Sequence, residues 1–109
     1  MDLLTRGEEV VLLAVWRLRE DAYGVPIRKL LIEMTDKTWS LSSVYDALDR
    51  LEKKRYLESY LSEPLNSRGG RSKRIYRHTR EGLEAMVRLK TTQEKIWKGI
   101  SKPALERKF

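Results

Sequence analysis

Seven consecutive apolar residues, Val10 to Trp16, impose the first constraint on this chain. They follow Thr5-Arg-Gly-Glu8, which has the Ser/Thr-x-x-Glu spacing of a capping box, so the run reads as a helix over about residues 6–20. A helix with so little polar face in its middle must be buried on most sides. The rest of a 109-residue chain, most simply one domain with one modest core, therefore has to pack around it. The run is far below the roughly 20 residues needed to cross a bilayer. The amino terminus also lacks the basic-then-apolar order of a secretory signal. A soluble, cytoplasmic protein with no membrane partner is expected. The absence of cysteine removes disulfides, thiolate chemistry and cysteine-based zinc sites.

Asp21-Ala-Tyr-Gly24 breaks the first helix, and a second runs from about Val25 to Thr35, with Pro26 tolerated in its first turn. Ile27, Leu30, Leu31 and Met34 form its core face. Asp36-Lys-Thr-Trp39 reads as a connector with room for a very short strand at residues 38–39. The third helix is the clearest: Ser40 is a good N-cap, and Leu41, Val44, Leu48 and Leu51 fall on one face. Its other side carries Ser42, Ser43, Asp46, Asp49, Arg50 and Lys53. Residues 56–63 and 73–79 read as two strands of a hairpin around Gly69-Gly70. Thr79 then caps a last helix over about residues 80–100. The expected fold is mainly α with a small β-hairpin, in the order α-α-α-β-β-α.

The last helix repeats apolar or neutral positions Leu83, Met86, Leu89, Gln93, Ile96 and Ile100. At 1.5 Å per residue a helix of that length is roughly 30 Å long. Three short helices and a hairpin cannot cover such a stripe, and a second copy of the chain is the simplest candidate. The division expected is therefore 1–79 as a region of three helices and a hairpin, 80–100 as a dimerisation helix and 101–109 as a flexible tail.

The formal net charge is +7, and residues 66–79, NSRGGRSKRIYRHT, hold cations with no acidic residue among them. Excess positive charge favours a polyanionic partner. An enzyme is not expected. His78 is the single histidine, the acidic residues sit among lysines and arginines, and Gly69-Gly70 has no phosphate-loop spacing. No cofactor and no metal are expected. A short connector between the second and third helices, and a third helix with one apolar and one polar face, are what a helix-turn-helix requires. Ser40, Ser42, Ser43, Tyr45 and Asp46 are placed to meet bases or nearby phosphates, with Tyr45 divided between that role and packing. Arg50, Lys53, Arg68, Gly69, Gly70, Arg71, Lys73 and Arg74 supply a basic surface along the backbone of double-stranded DNA. The competing reading is a protein-interaction module whose basic face meets an acidic partner.

These elements resemble the PadR family of bacterial winged-helix transcriptional regulators. The matching residues are Ala22-Tyr-Gly24, Ser42-Ser-Val-Tyr45, Ala47-Leu48, Arg50-Leu-Glu52, Arg68-Gly-Gly-Arg71, Lys73-Arg74, Tyr76 and Thr79-x-x-Gly82. The resemblance implies a homodimeric repressor on a palindromic operator, with the third helix in the major groove, the wing beside it and dimerisation through the last helix. It resembles the compact subgroup. There Trp97 lies where some members meet a flat hydrophobic effector; a plain interface tryptophan is the alternative. Two positions depart from the family pattern: Arg55 stands where a glycine is common after the third helix, and Ala22 where histidine is common.

Overall fold

The structure, a computed structural model, describes residues 4–63 and 72–109. Helix α1 spans Arg6–Leu18 and begins with the capping box foreseen above: Glu8 N–H donates to Thr5 Oγ1 (3.1 Å) and Thr5 N–H donates to Glu8 Oε1 (2.9 Å). It ends two residues sooner than expected, at Arg19 with φ 53°, and a 3-10 turn over Arg19–Asp21 follows. Helix α2 spans Gly24–Thr35 and stops at Asp36, which takes the left-handed conformation that a short polar side chain tolerates. Helix α3 spans Leu41–Lys53, with Ser40 as its N-cap.

Val11, Leu12, Ala14 and Val15 of α1 are buried against Ile27 and Leu31 of α2 and Val44, Ala47, Leu48 and Leu51 of α3. A fully buried leucine of this kind contributes about 1.5–3 kcal/mol by leaving water. Two expectations are corrected. Leu41 is 41% exposed, because the first turn of α3 stands clear of the core, which begins at Val44. Met34 is likewise exposed at the far end of α2, and Leu30 is only partly buried. The middle of the first helix is buried on most sides, as expected, with Leu13 and Trp16 exposed on the remaining one.

Thr38 and Trp39 form no strand. Their polar groups are used otherwise: Trp39 Nε1 donates to Thr35 Oγ1 (3.1 Å) and the Trp39 carbonyl accepts from Arg28 Nε (2.6 Å). This ties the connector back onto α2 and leaves it no strand to pair with.

Strands β1, Leu57–Leu61, and β2, Arg74–His78, pair antiparallel with Leu57 opposite His78 and Leu61 opposite Arg74. Leu57 and Tyr76 turn into the core. The outer side of β2 is partly occupied, since Tyr76 N–H donates to the Ala22 carbonyl at 2.9 Å. That bond locks the wing base to the turn before α2.

Helix α4 spans Arg80–Trp97, and its start is bound to the end of α3. Thr79 donates its N–H to the Tyr56 carbonyl (3.1 Å) and its hydroxyl to the Arg55 carbonyl (2.6 Å), while Gly82 N–H donates to Thr79 Oγ1. A Cβ on Gly82 would collide with the Tyr56 carbonyl oxygen, so the Thr79-x-x-Gly82 motif has a steric cause. Only Gly82 and Ala85 of this helix are buried. It ends at Trp97 instead of Ile100, because Gly99 takes φ 80° and turns the chain. The segment expected to be a loose tail carries a short helix, α5, over Lys102–Glu106. The molecule is elongated, 56 × 30 × 20 Å.

Arg55 has φ 65°, a left-handed conformation at the very position where a glycine is common in the resembling family. A side chain there is strained by contact between its Cβ and the backbone. Arg55→Gly is expected to stabilise the fold by about 0.5–1 kcal/mol after allowing for the freer unfolded chain. A raised urea midpoint at unchanged slope would register it.

Candidate nucleic-acid interface

The solvent side of α3 is built from its cap outward. Ser40 Oγ accepts from Ser43 N–H at 3.0 Å and donates to Ser43 Oγ at 2.9 Å, so two of the three serines organise the helix end. Ser42 is exposed beside them, and Asp46, Asp49, Arg50 and Lys53 continue the exposed side. Tyr45 is 42% exposed, yet its hydroxyl end lies so close to Gly24 that any Cβ there would strike it. The Tyr45 ring thus bridges α3 to the start of α2, lying in space that a side chain at Gly24 would share.

The base of the wing adjoins this surface. Ser62 and Lys73 close the described part of the hairpin, with Ser62 N–H donating to the Lys73 carbonyl (2.7 Å) and Lys73 N–H to Ser62 Oγ (2.9 Å). The Lys73 ammonium stands 5.1 Å from the centre of the Tyr23 ring. Lys73, Tyr23, Gly24 and Tyr45 are thus one chain of contacts from the wing to the exposed side of α3. A second chain runs from Arg74 Nη1 to Ser59 Oγ (3.0 Å) and on to Glu52 Oε2 (3.2 Å), joining β2, β1 and α3. Arg68, Gly69, Gly70 and Arg71 lie outside the described residues.

Sequence reasoning missed the acid that holds the other end of α3. Glu8 is 1% exposed. Its Oε1 accepts from Thr5 N–H and from Lys54 Nζ at 3.2 Å, and its Oε2 from Arg50 Nε at 3.3 Å. Burial alone would raise its pKa, but the Thr5 and Lys54 donors outweigh that, and the carboxyl titrates below its ordinary range. The capping box marked Glu8 as a backbone partner; nothing in the spacing linked it to cations 42 and 46 residues away. Arg50, expected simply as a phosphate contact, is therefore shared with α1, its side chain 51% exposed.

His78 lies away from the serines. Its Nε2 is 2.9 Å from the Leu12 carbonyl of α1, and its ring meets Trp16 edge-on. Burial lowers its pKa, with the Leu12 hydrogen bond opposing. No group of acidic residues and histidine able to hold a metal occurs among the described residues. No helix among them is long and apolar enough to cross a membrane.

On α4, Leu83, Ile96 and Trp97 are exposed, Met86, Leu89 and Gln93 half-buried, and Ile100 lies past the helix end. Val87, 66% exposed, was not part of the expected stripe. Two grooves line this side. One, of about 430 Å³, lies between Val10 and Leu13 of α1 and Met86, Leu89 and Trp97 of α4. The other, of about 330 Å³, lies between Trp16 and Leu83, Met86 and Val87.

The model of the transcriptional regulator PadR-like family matches residues 12–88. The chain belongs to that family. PadR-like proteins are DNA-binding transcription regulators, generally not enzymes, and a helix-helix-helix-hairpin-helix order with this winged helix is their fold. Solved relatives agree. A PadR family transcription regulator from Clostridium difficile is 29% identical, with TM-score 0.62 over 88% of this chain and 97% of that one. A PadR-like transcriptional regulator from Bacillus cereus is 24% identical, with TM-score 0.70 over 85% of each chain. A Streptococcus transcriptional regulator is 20% identical and shares the fold, with TM-score 0.72 over 92% and 95%. No curated protein matches the sequence.

The PadR-like fold should weaken in acid in two stages. His78 prefers its neutral form when folded, so its contribution is complete above its ordinary pKa of 6.5 and declines as pH falls below it. Glu8 prefers its charged form, so its contribution is present above the ordinary 4.5 and is lost as pH falls through the lower folded value. Denaturation midpoints measured from neutral pH downward should show both stages. His78→Gln should abolish the upper and Glu8→Gln the lower.

Proposed function

We propose that the protein is a homodimeric repressor that binds a palindromic operator, with α3 in the major groove and the basic wing on the backbone or in the adjacent minor groove. The observation that carries the reading is the contact chain Lys73–Tyr23–Gly24–Tyr45, which joins the wing base to the exposed, serine-lined side of α3. Ser40, Ser42, Ser43, Tyr45 and Asp46 would face bases and nearby phosphates, since the first turn of a recognition helix is what reaches the groove floor. Arg50, Lys53, Lys73 and Arg74, with Arg68, Gly69, Gly70 and Arg71 of the wing tip, would meet phosphates. Residues 1–79 thus serve as the DNA-binding region and 80–100 as the dimerisation segment. In the dimer a second copy would cover Leu83, Met86, Leu89, Ile96 and Trp97. Trp97, at the larger groove, is the residue a flat hydrophobic effector would touch.

Selection of bound sequences from random duplexes tests the DNA reading, and a palindromic consensus is the expected result. A consensus without symmetry, or none after competition with excess random DNA at about 0.15 M salt, would refute it. Lys73→Ala should lower affinity for all sequences and reduce the log–log salt slope by about 0.9. Ser42→Ala should instead change which sequence is preferred.

The dimer has its own test. Val87 is exposed in the protomer, so Val87→Glu should leave thermal stability of the single chain unaltered. The expected outcome in light scattering is a wild-type mass of two chains and a variant mass of one.

A further inference from the structure

Two features of the Glu8 cluster are unusual for a mere surface ion pair. The carboxylate is almost wholly buried, and all its described partners are donors: Thr5 N–H, Lys54 Nζ and Arg50 Nε. The second feature is how Arg50 is held. Glu8 engages the guanidinium through Nε, at 3.3 Å, and half of the side chain stays in solvent. A guanidinium carries five N–H donors in a rigid fork. Fixing it through Nε orients the remaining donors, which meet no acceptor among the described residues. A free arginine would have to lose its rotamer freedom on meeting a phosphate, and here much of that ordering is done in advance.

We propose that Glu8 is a positioning residue for DNA binding, whose buried carboxylate aims the Arg50 guanidinium at a backbone phosphate beside the C-terminal half of α3. The inference rests on the DNA-binding reading above. It also runs against simple charge counting. An acidic residue near a DNA surface repels phosphate, so its removal should strengthen binding if Glu8 acts only through its charge. A positioning role requires removal to weaken it.

The sign of the effect therefore decides. Wild-type protein, Glu8→Gln, Glu8→Asp, Arg50→Ala and the Glu8→Gln/Arg50→Ala double variant would be titrated against a mixed-sequence duplex of about 30 base pairs, between about 0.05 and 0.3 M salt. Loss of one phosphate contact reduces the log–log slope by about 0.9, which at about 0.15 M salt corresponds to about fivefold weaker binding. That loss is expected for Glu8→Gln and for Arg50→Ala, with the double variant no worse than either. Glu8→Asp keeps the charge but withdraws the oxygens from Arg50, and should show the same loss. Circular dichroism at the titration temperature establishes that each variant is folded; should Glu8→Gln fail there, Glu8→Asp and Arg50→Ala carry the comparison. Unchanged slopes or tighter binding in the Glu8 variants would overturn the proposal while leaving the DNA reading intact. Absence of duplex binding by the wild-type protein would instead remove the DNA reading itself.

Discussion

The junction at the end of α3 is the constraint on which the remaining geometry depends. Within five residues the chain leaves a helix, takes a left-handed step at Arg55 and enters β1. The carbonyls exposed by that step are then used by Thr79, at the far end of the hairpin, to begin α4. Gly82 completes the contact by letting α4 close against the Tyr56 carbonyl. One small patch of backbone thereby fixes where the wing departs, where it returns and at what angle α4 leaves the core. In a dimeric reader of palindromes, half-sites recur about every 34 Å along the duplex, so the angle between the reading helix and the dimerising helix sets whether both copies fit. A junction built on backbone carbonyls and the one short side chain of Thr79 suits that demand.

Charge is managed in the same way. The net charge of +7 suggests loose attraction to any polyanion, but many of the cations are held. Arg74 is bound to Ser59, Arg77 pairs with Glu58 at 2.8 Å and stacks near Tyr60, and Arg50 and Lys54 share Glu8. Exposed pairs such as Arg77–Glu58 add little stability, typically below about 1 kcal/mol. Their larger effect is to limit where long side chains point. Tyr76 sits behind this layer, its hydroxyl pushed up to about 12 by burial and by the charges of Glu52 and Asp49, and so stays a neutral part of the core.

The element order, the Thr5, Ser40 and Thr79 caps and the two strands of the hairpin were legible in the sequence because each rests on local chemistry: capping spacing, a 3–4 apolar rhythm and β-favouring tyrosines. Legibility failed where long-range geometry took over. Leu41 fits the apolar rhythm of α3 but lies one turn beyond the helices that could cover it. Glu8 looks like a cap, and only folding reveals that the same carboxylate spans to α3. The strand allowed at residues 38–39 failed for a related reason. Trp39 is β-favouring by type, but its indole and carbonyl find partners on α2 before any strand is within reach.

The uncovered apolar surface follows from the same economy of a small core. A 109-residue chain buries one cluster, and that cluster is completed by α1, α2, α3 and the hairpin. Helix α4 contributes little beyond Gly82 and Ala85, so its outer turns and the facing residues Leu13 and Trp16 of α1 have no covering element among the described residues. The surface of the two grooves is mainly apolar, with Arg6, Glu9, Lys90 and Glu94 beside it at the larger one, and exposed apolar patches of this kind mark interaction sites. In the dimer proposed above, burying them against a copy would remove the surface from water and, through the Thr79–Gly82 junction, would set the distance between two α3 helices. On this account dimerisation and DNA reading are parts of one geometric requirement.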